Sequence, residues 1–169
     1  AHSLELAGAD FVVLCTNTMH KVAAAIENAV KIPLSHIADP TADEIKTQGF
    51  QRIGLLGTRF TMEQDFYKLR LQQQHGLEVV VPTSDDMDIV HRIIYQELCL
   101  GKIEDASRVE YRRIMTQLIE QGAQAIILGC TEISLLVGAN DATVPLFDTT
   151  GLHAAKAAEF ALNFVAENA

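Results

Sequence analysis

Short aliphatic runs bounded by turn residues alternate along the chain with longer segments whose apolar positions recur at helical spacing. That alternation belongs to parallel strands buried on both faces by crossover helices, so the fold class is read as α/β. Strands are expected at about 9–15, 33–37, 52–57, 77–81, 124–129 and 143–147. The best-marked helix opens with Ser84, Asp85 and Asp86 as cap and first-turn acids, and carries Ile89, Val90, Ile93, Ile94 and Leu98 on one face before Gly101. A second follows from about Glu104 to Gln121, with Ala106, Val109, Ile114 and Leu118 on one side. Ala1 to Leu6 reads as the closing turns of a helix that Gly8 ends, which implies a further segment upstream.

A chain of 169 residues, 49% hydrophobic and 21% charged, can bury a core in one domain or two small ones and is unlike a disordered polypeptide. With 13 basic against 22 acidic residues the net charge is -9, which disfavours a nucleic-acid backbone or an anionic membrane and leaves small molecules as the expected partners. Cys15, Cys99 and Cys130 lie far apart with no C-x-x-C spacing, so a disulfide scaffold or zinc site is not indicated and a reducing cytoplasm is expected. The six histidines show no i, i+4 pair, and no metal is expected. No apolar run approaches the roughly 20 residues that span a bilayer, and no export signal is visible.

The chain contains an internal echo. GADFVVLCTNT (Gly8 to Thr18) aligns without gaps on GAQAIILGCTE (Gly122 to Glu132), each after an apolar helix end. Any two βα units share aliphatic strands, so the loops carry the pairing. Gly8 meets Gly122, Leu14 meets Leu128, Cys15 meets Gly129, and Thr16 meets Cys130. In open α/β sheets ligands bind beyond the carboxyl ends of the strands, where both loops lie. Asn17 and Thr18 offer an amide and a hydroxyl there, Thr131 and Glu132 match them, and Thr58 and Thr61 add hydroxyls after the 52–57 strand. These groups suit a small polar ligand, a carboxylate included; for each hydroxyl alone, capping of the next helix is the competing assignment.

The segments LCTNTMH, GLLGTRFT, ILGCTEISLL and PLFDTTGLHA, in that order, resemble the aspartate/glutamate racemase family. The resemblance implies cofactor-independent amino-acid racemisation, two pseudo-symmetric α/β lobes with the site at their interface, and a homodimer. Residues 1–38 plus 147–169 are then expected to form the first lobe, lacking an N-terminal part comparable to one βαβ unit, and 39–146 the second. Inversion removes a proton from one face of the α-carbon and returns one to the other. The family typically uses two cysteines, because a thiol pKa of about 8.5 can be drawn toward neutrality. Its second cysteine matches Cys130, whereas its first falls on Thr16, immediately before the Asn-Thr-x-His segment. A hydroxyl is a far weaker acid than a thiol, so the resemblance implies that Cys130 serves the L enantiomer and that the D enantiomer is handled poorly. Asn17, Thr18, Thr58, Thr61, Thr131 and Glu132 are the expected substrate-binding residues.

Other assignments remain open. A one-residue shift of the loop would bring Cys15 into the site, though an inert, buried Cys15 is the simpler expectation. Cys99, beside Leu98 at a helix end, is expected to pack in the core. His20 and His153 fall in the family-matching segments and could orient loops or tune a thiol, with a hydrogen-bonded structural role as the alternative; Arg59 or Lys102 could receive a side-chain carboxylate, but a solvated surface role is the simpler expectation for each. Gly54 and Gly57 lack the fuller dinucleotide fingerprint. A lone Cys130 also fits a malonate-type decarboxylase of the same superfamily, and the loops fit an amino-acid-binding protein with weak catalysis.

Overall fold

The computed structural model describes residues 1–167. Helix α1 (His2–Leu6) leads into β1 (Val12–Val13); a 3₁₀ turn at Thr18–Val22 and α2 (Ala23–Ala29) lead into β2 (Leu34–Ser35). Then come α3 (Ala38–Thr47), β3 (Arg52–Gly57), α4 (Arg59–Glu63), α5 (Asp65–Leu69) with a wide π turn at Arg70–Gln74, and β4 (Glu78–Val80). Helix α6 (Ser84–Gln96), a 3₁₀ turn at Leu98–Leu100, α7 (Asp105–Glu120), β5 (Ala125–Gly129), α8 (Ile133–Leu136), β6 (Leu146–Asp148) and α9 (Thr149–Glu167) complete the order. All strand pairs are parallel: β1 with β2, and a four-stranded sheet in the order β4-β3-β5-β6. The α/β class expected from periodicity is the one observed.

The central strands alternate their side chains between two cores, as a strand buried on both faces must. Leu56, Ile126 and Leu128 pack with Val90, Ile93 and Ile94 of α6 and Ile114, Met115 and Leu118 of α7. Ile53, Leu55 and Ile127 face the other way, onto Ile45 of α3 with Tyr67 and Leu71. Each such side chain contributes about 1.5–3 kcal/mol through burial, so β3 and β5 form a rigid floor. Leu56 pairs with Leu128 and Gly57 with Gly129, and the next residues, Thr58 and Cys130, therefore leave the sheet side by side. A Cβ on Gly129 would lie 2.8 Å from the Leu56 carbonyl oxygen, so only glycine allows this approach.

The echo is structural. Gly8 and Gly122 both take left-handed backbone, φ 87° and 94°. Ala9 N–H donates to the Leu4 carbonyl at 3.1 Å and Ala123 N–H to that of Leu118 at 3.0 Å, so two helices end in the same Schellman turn before β1 and β5.

Several expected boundaries shift. β1 and β2 keep two residues each of the expected ladders, since β1 pairs only with β2 among the described residues, and β6 starts at Leu146. Thr83, not Ser84, caps α6, its hydroxyl accepting Asp86 N–H at 3.3 Å. The buried face of α7 is Ser107, Tyr111, Ile114, Met115 and Leu118. Val109 lies five residues before Ile114, well off that stripe at 100° per residue, and is exposed with Ala106. Among the described residues no helix is long and apolar enough to cross a membrane.

Candidate active site

The loop after β1 separates the surroundings of two neighbouring residues, Cys15 and Thr16. Thr16 N–H donates to the Leu14 carbonyl at 2.8 Å, closing a three-residue turn with Cys15 at its apex. Cys15 is therefore exposed, not buried as expected, and lines a separate hollow of about 100 Å³ with Val13, Ile37 and His153. Thr16 faces a cavity of about 250 Å³, which it lines with Asn17, Thr18, Met19, Thr58, Gly129, Cys130, Thr131 and Glu132. Ile94, Tyr95 and Cys99 supply the remaining wall. Another hollow of about 140 Å³, beside Phe11, His36 and Asp39, contains none of the expected site residues.

Cys130 is only 9% exposed, yet its thiol stands at the cavity wall rather than sealed in the core. It donates to Glu132 Oε2 at 3.0 Å, and the Thr131 hydroxyl donates to the same oxygen at 2.7 Å. Burial, then that hydrogen bond to a carboxylate, push the thiol well above its ordinary range. Burial works to raise Glu132 as well, but the bonds from Cys130 and Thr131 outweigh it and hold the carboxyl below its usual value. Cys130 thus rests as a thiol facing an ionised acceptor. Glu132, expected to bind substrate, spends its carboxylate on the thiol.

Asn17 and the threonines join the loops of the two sheets. The Asn17 amide donates to Thr149 Oγ1 at 3.1 Å, and that hydroxyl donates to the Leu128 carbonyl at 3.0 Å. Asn17 Oδ1 is buried and has no partner among the described residues, an unsatisfied acceptor in a residue that borders the cavity. Thr18 Oγ1 lies 2.9 Å from Thr58 Oγ1 and 3.4 Å from Thr61 Oγ1, with 3.2 Å between the latter two. Thr61 is fully buried behind this triangle, which places it outside the cavity wall.

Cys99 falls elsewhere than expected, whereas Arg59 and Lys102 take the surface roles that competed with a place in the site. The backbone leaves helical geometry at Glu97 (φ -125°, ψ -71°), so the following turn buries Leu98 and rotates Cys99 out of the core to the cavity rim. Burial and the nearby Glu132 carboxylate hold the Cys99 thiol above its usual value. Arg59 is committed to Glu63 at 2.6 Å and to Asp88, and Lys102 is exposed outside the cavity wall. Tyr95 and Ile94 carried no sequence signal beyond their place on a helix face.

The model of the Asp/Glu/hydantoin racemase family matches residues 1–157. The chain belongs to that family. Its backbone superposes on a candidate Asp/Glu racemase from Yersinia pestis with a TM-score of 0.90 and 60% identity, over 95% of this chain and 70% of that one. An aspartate racemase homologue from Pyrococcus horikoshii OT3 gives a TM-score of 0.83 at 36% identity over the same shares, 95% and 70%. The broad-specificity amino-acid racemase RacX of Bacillus subtilis (strain 168) is 24% identical over 157 residues, 89% of this chain. The chain spans 64% of the length of RacX. Members of this family thus supply the same α/β frame as the sheets and helices described above.

Proposed function

We propose that the protein is a cofactor-independent racemase of acidic amino acids, with Cys130 and Thr16 as its proton-transfer groups. The observation that carries this reading is that both residues line one cavity, which Asn17, Thr18 and Thr58 also border. Asn17 Oδ1 accepts from the α-ammonium group, and the hydroxyls donate to the α-carboxylate, whose charge grows as the α-proton leaves. Cys130 passes its proton to Glu132, and the thiolate so formed takes the α-hydrogen of the L enantiomer. The proton that completes inversion arrives on the Thr16 side, from the hydroxyl acting as a relay to water. Residues 1–38 with 147–169 and residues 39–146 form the two lobes on this reading, and two copies pair as a dimer in the cytoplasm.

The two faces of the α-carbon are served unequally. Interconversion of enantiomers has an equilibrium constant of unity, so kcat/KM is the same for both inversions. The asymmetry shows instead as exchange without inversion. Cys130 swaps its proton with solvent and returns it to the L face faster than Thr16 completes the turnover. The test is a proton NMR time course in heavy water on L- and D-aspartate and L- and D-glutamate, each alone. Loss of the α-proton signal from L substrate ahead of any D product is expected. Equal exchange from both enantiomers refutes the assigned asymmetry, and tight binding with no exchange at all refutes catalysis.

A further inference from the structure

We infer that His20 is a positioning residue that, from behind the cavity, fixes the backbone on which the Thr16 hydroxyl is carried. The inference rests on the racemase reading above. His20 is 2% exposed and lies outside the cavity wall, four residues after Thr16 in the 3₁₀ turn. Its Nε2 accepts the backbone N–H of Ile37 at 3.1 Å. An imidazole that accepts at Nε2 carries its proton on Nδ1, and Nδ1 lies 2.8 Å from the Thr16 carbonyl, to which it donates. Both nitrogens are engaged, so His20 has no free lone pair for acid–base work.

The Ile37 end of this link is firmly held. Ile37 is itself core. His36 Nδ1 accepts Ala38 N–H at 3.2 Å, and His153 of α9 donates from Nε2 to the Ser35 carbonyl at 2.8 Å. Three imidazoles, with His20 and His36 rings 4.2 Å apart, fix the backbone from residue 35 to 38, and His20 carries that anchor to Thr16. With its N–H bound to Leu14 and its carbonyl to His20, Thr16 has both backbone groups fixed. Its hydroxyl direction is then a choice among χ1 wells alone.

The groups packed around His20 favour the neutral ring. Burial is the main cause of a pKa near 4, and His153 of α9 and Arg70 of the π turn disfavour a further positive charge. Asp39 of α3, whose charge acts on the neighbouring His36, is taken up by Arg70, at 2.6 Å to each oxygen, and by His75 at 2.9 Å. Near neutral pH the tautomer is therefore fixed.

Two measurements on the purified protein test this. Nitrogen-15 NMR of wild type is expected to show His20 protonated at Nδ1 and bare at Nε2; a proton on Nε2 overturns the inference whatever the enzyme does. The second measurement compares exchange into L-aspartate or L-glutamate, which proceeds on the Cys130–Glu132 side without Thr16, with inversion, which also needs Thr16. His20→Ala is expected to lower the ratio of inversion to exchange about tenfold or more, since small displacements of a reacting group are costly. His20→Gln, with one donor and one acceptor to bridge the same two backbone groups, is expected to recover most of it, and stands in if the alanine variant fails to fold. A purely structural histidine lowers both rates together and leaves the ratio unchanged, which overturns the proposal. A wild type with the expected tautomer but no exchange from any enantiomer overturns the racemase reading, and the assigned role for His20 with it.

Discussion

Cys130 directs its hydrogen at a carboxylate, a setting that stabilises S–H over thiolate. Replacing Glu132 by Gln removes that charge, so the thiol pKa should fall while turnover also falls for want of a proton acceptor. Alkylation of Cys130 against pH, in a background without Cys15 and Cys99, measures the first effect and deuterium exchange the second. Thr16→Cys should open exchange from the D enantiomer, because a thiol then occupies the second seat, whereas Cys15→Ala should leave both rates within about threefold. That Thr16 rather than Cys15 borders the same cavity as Cys130 accords with the gap-free echo, which pairs Thr16 with Cys130. The exposure of Cys15 was not legible, since it depends on a single carbonyl contact two residues back. Cys99 was misplaced for a related reason: a helical wheel assumes that the helix continues, and here it stops at Gln96.

At the level of elements, the close approach of β3 and β5 places Cys130. Gly129→Ala would force a methyl group against the Leu56 carbonyl and the Leu55 side chain, at 2.8 and 3.1 Å. Since strand backbone cannot yield as a flexible side chain does, a cost of about 1–3 kcal/mol is expected, read as a lower urea midpoint. The displaced Cys130 should lower exchange as well. Central strands were read well because burial on both faces makes them unbroken apolar runs. The outer pair β1 and β2 was overextended, because aliphatic residues persist past the point where a ladder partner does.

The whole molecule is sensitive to acid through its buried imidazoles. Burial lowers His20 from 6.5 to about 4, and burial with its neighbour His20 lowers His36 to about 3. The unfolded chain binds more protons than the native one between those values, so stability rises with pH there. The contribution is complete above about 6.5 and is lost as pH falls toward 4 and 3, on the order of a few kcal/mol for the pair. Urea midpoints at pH 7, 5.5 and 4.5 should therefore decline, and a His20→Gln variant should decline less. A flat profile across that range would contradict the assignment of neutral imidazoles.

Asn17 to Thr149, and Thr18 to Thr58, are the links by which loops of the two-stranded pair grip those of the four-stranded sheet. Any hinge-like parting of the two sheets must first break these contacts, and they belong to the very groups proposed to hold the substrate. On the racemase reading, admission of a substrate and assembly of the reactive arrangement become one event, with the bridging ligand as the clasp that shuts the gap.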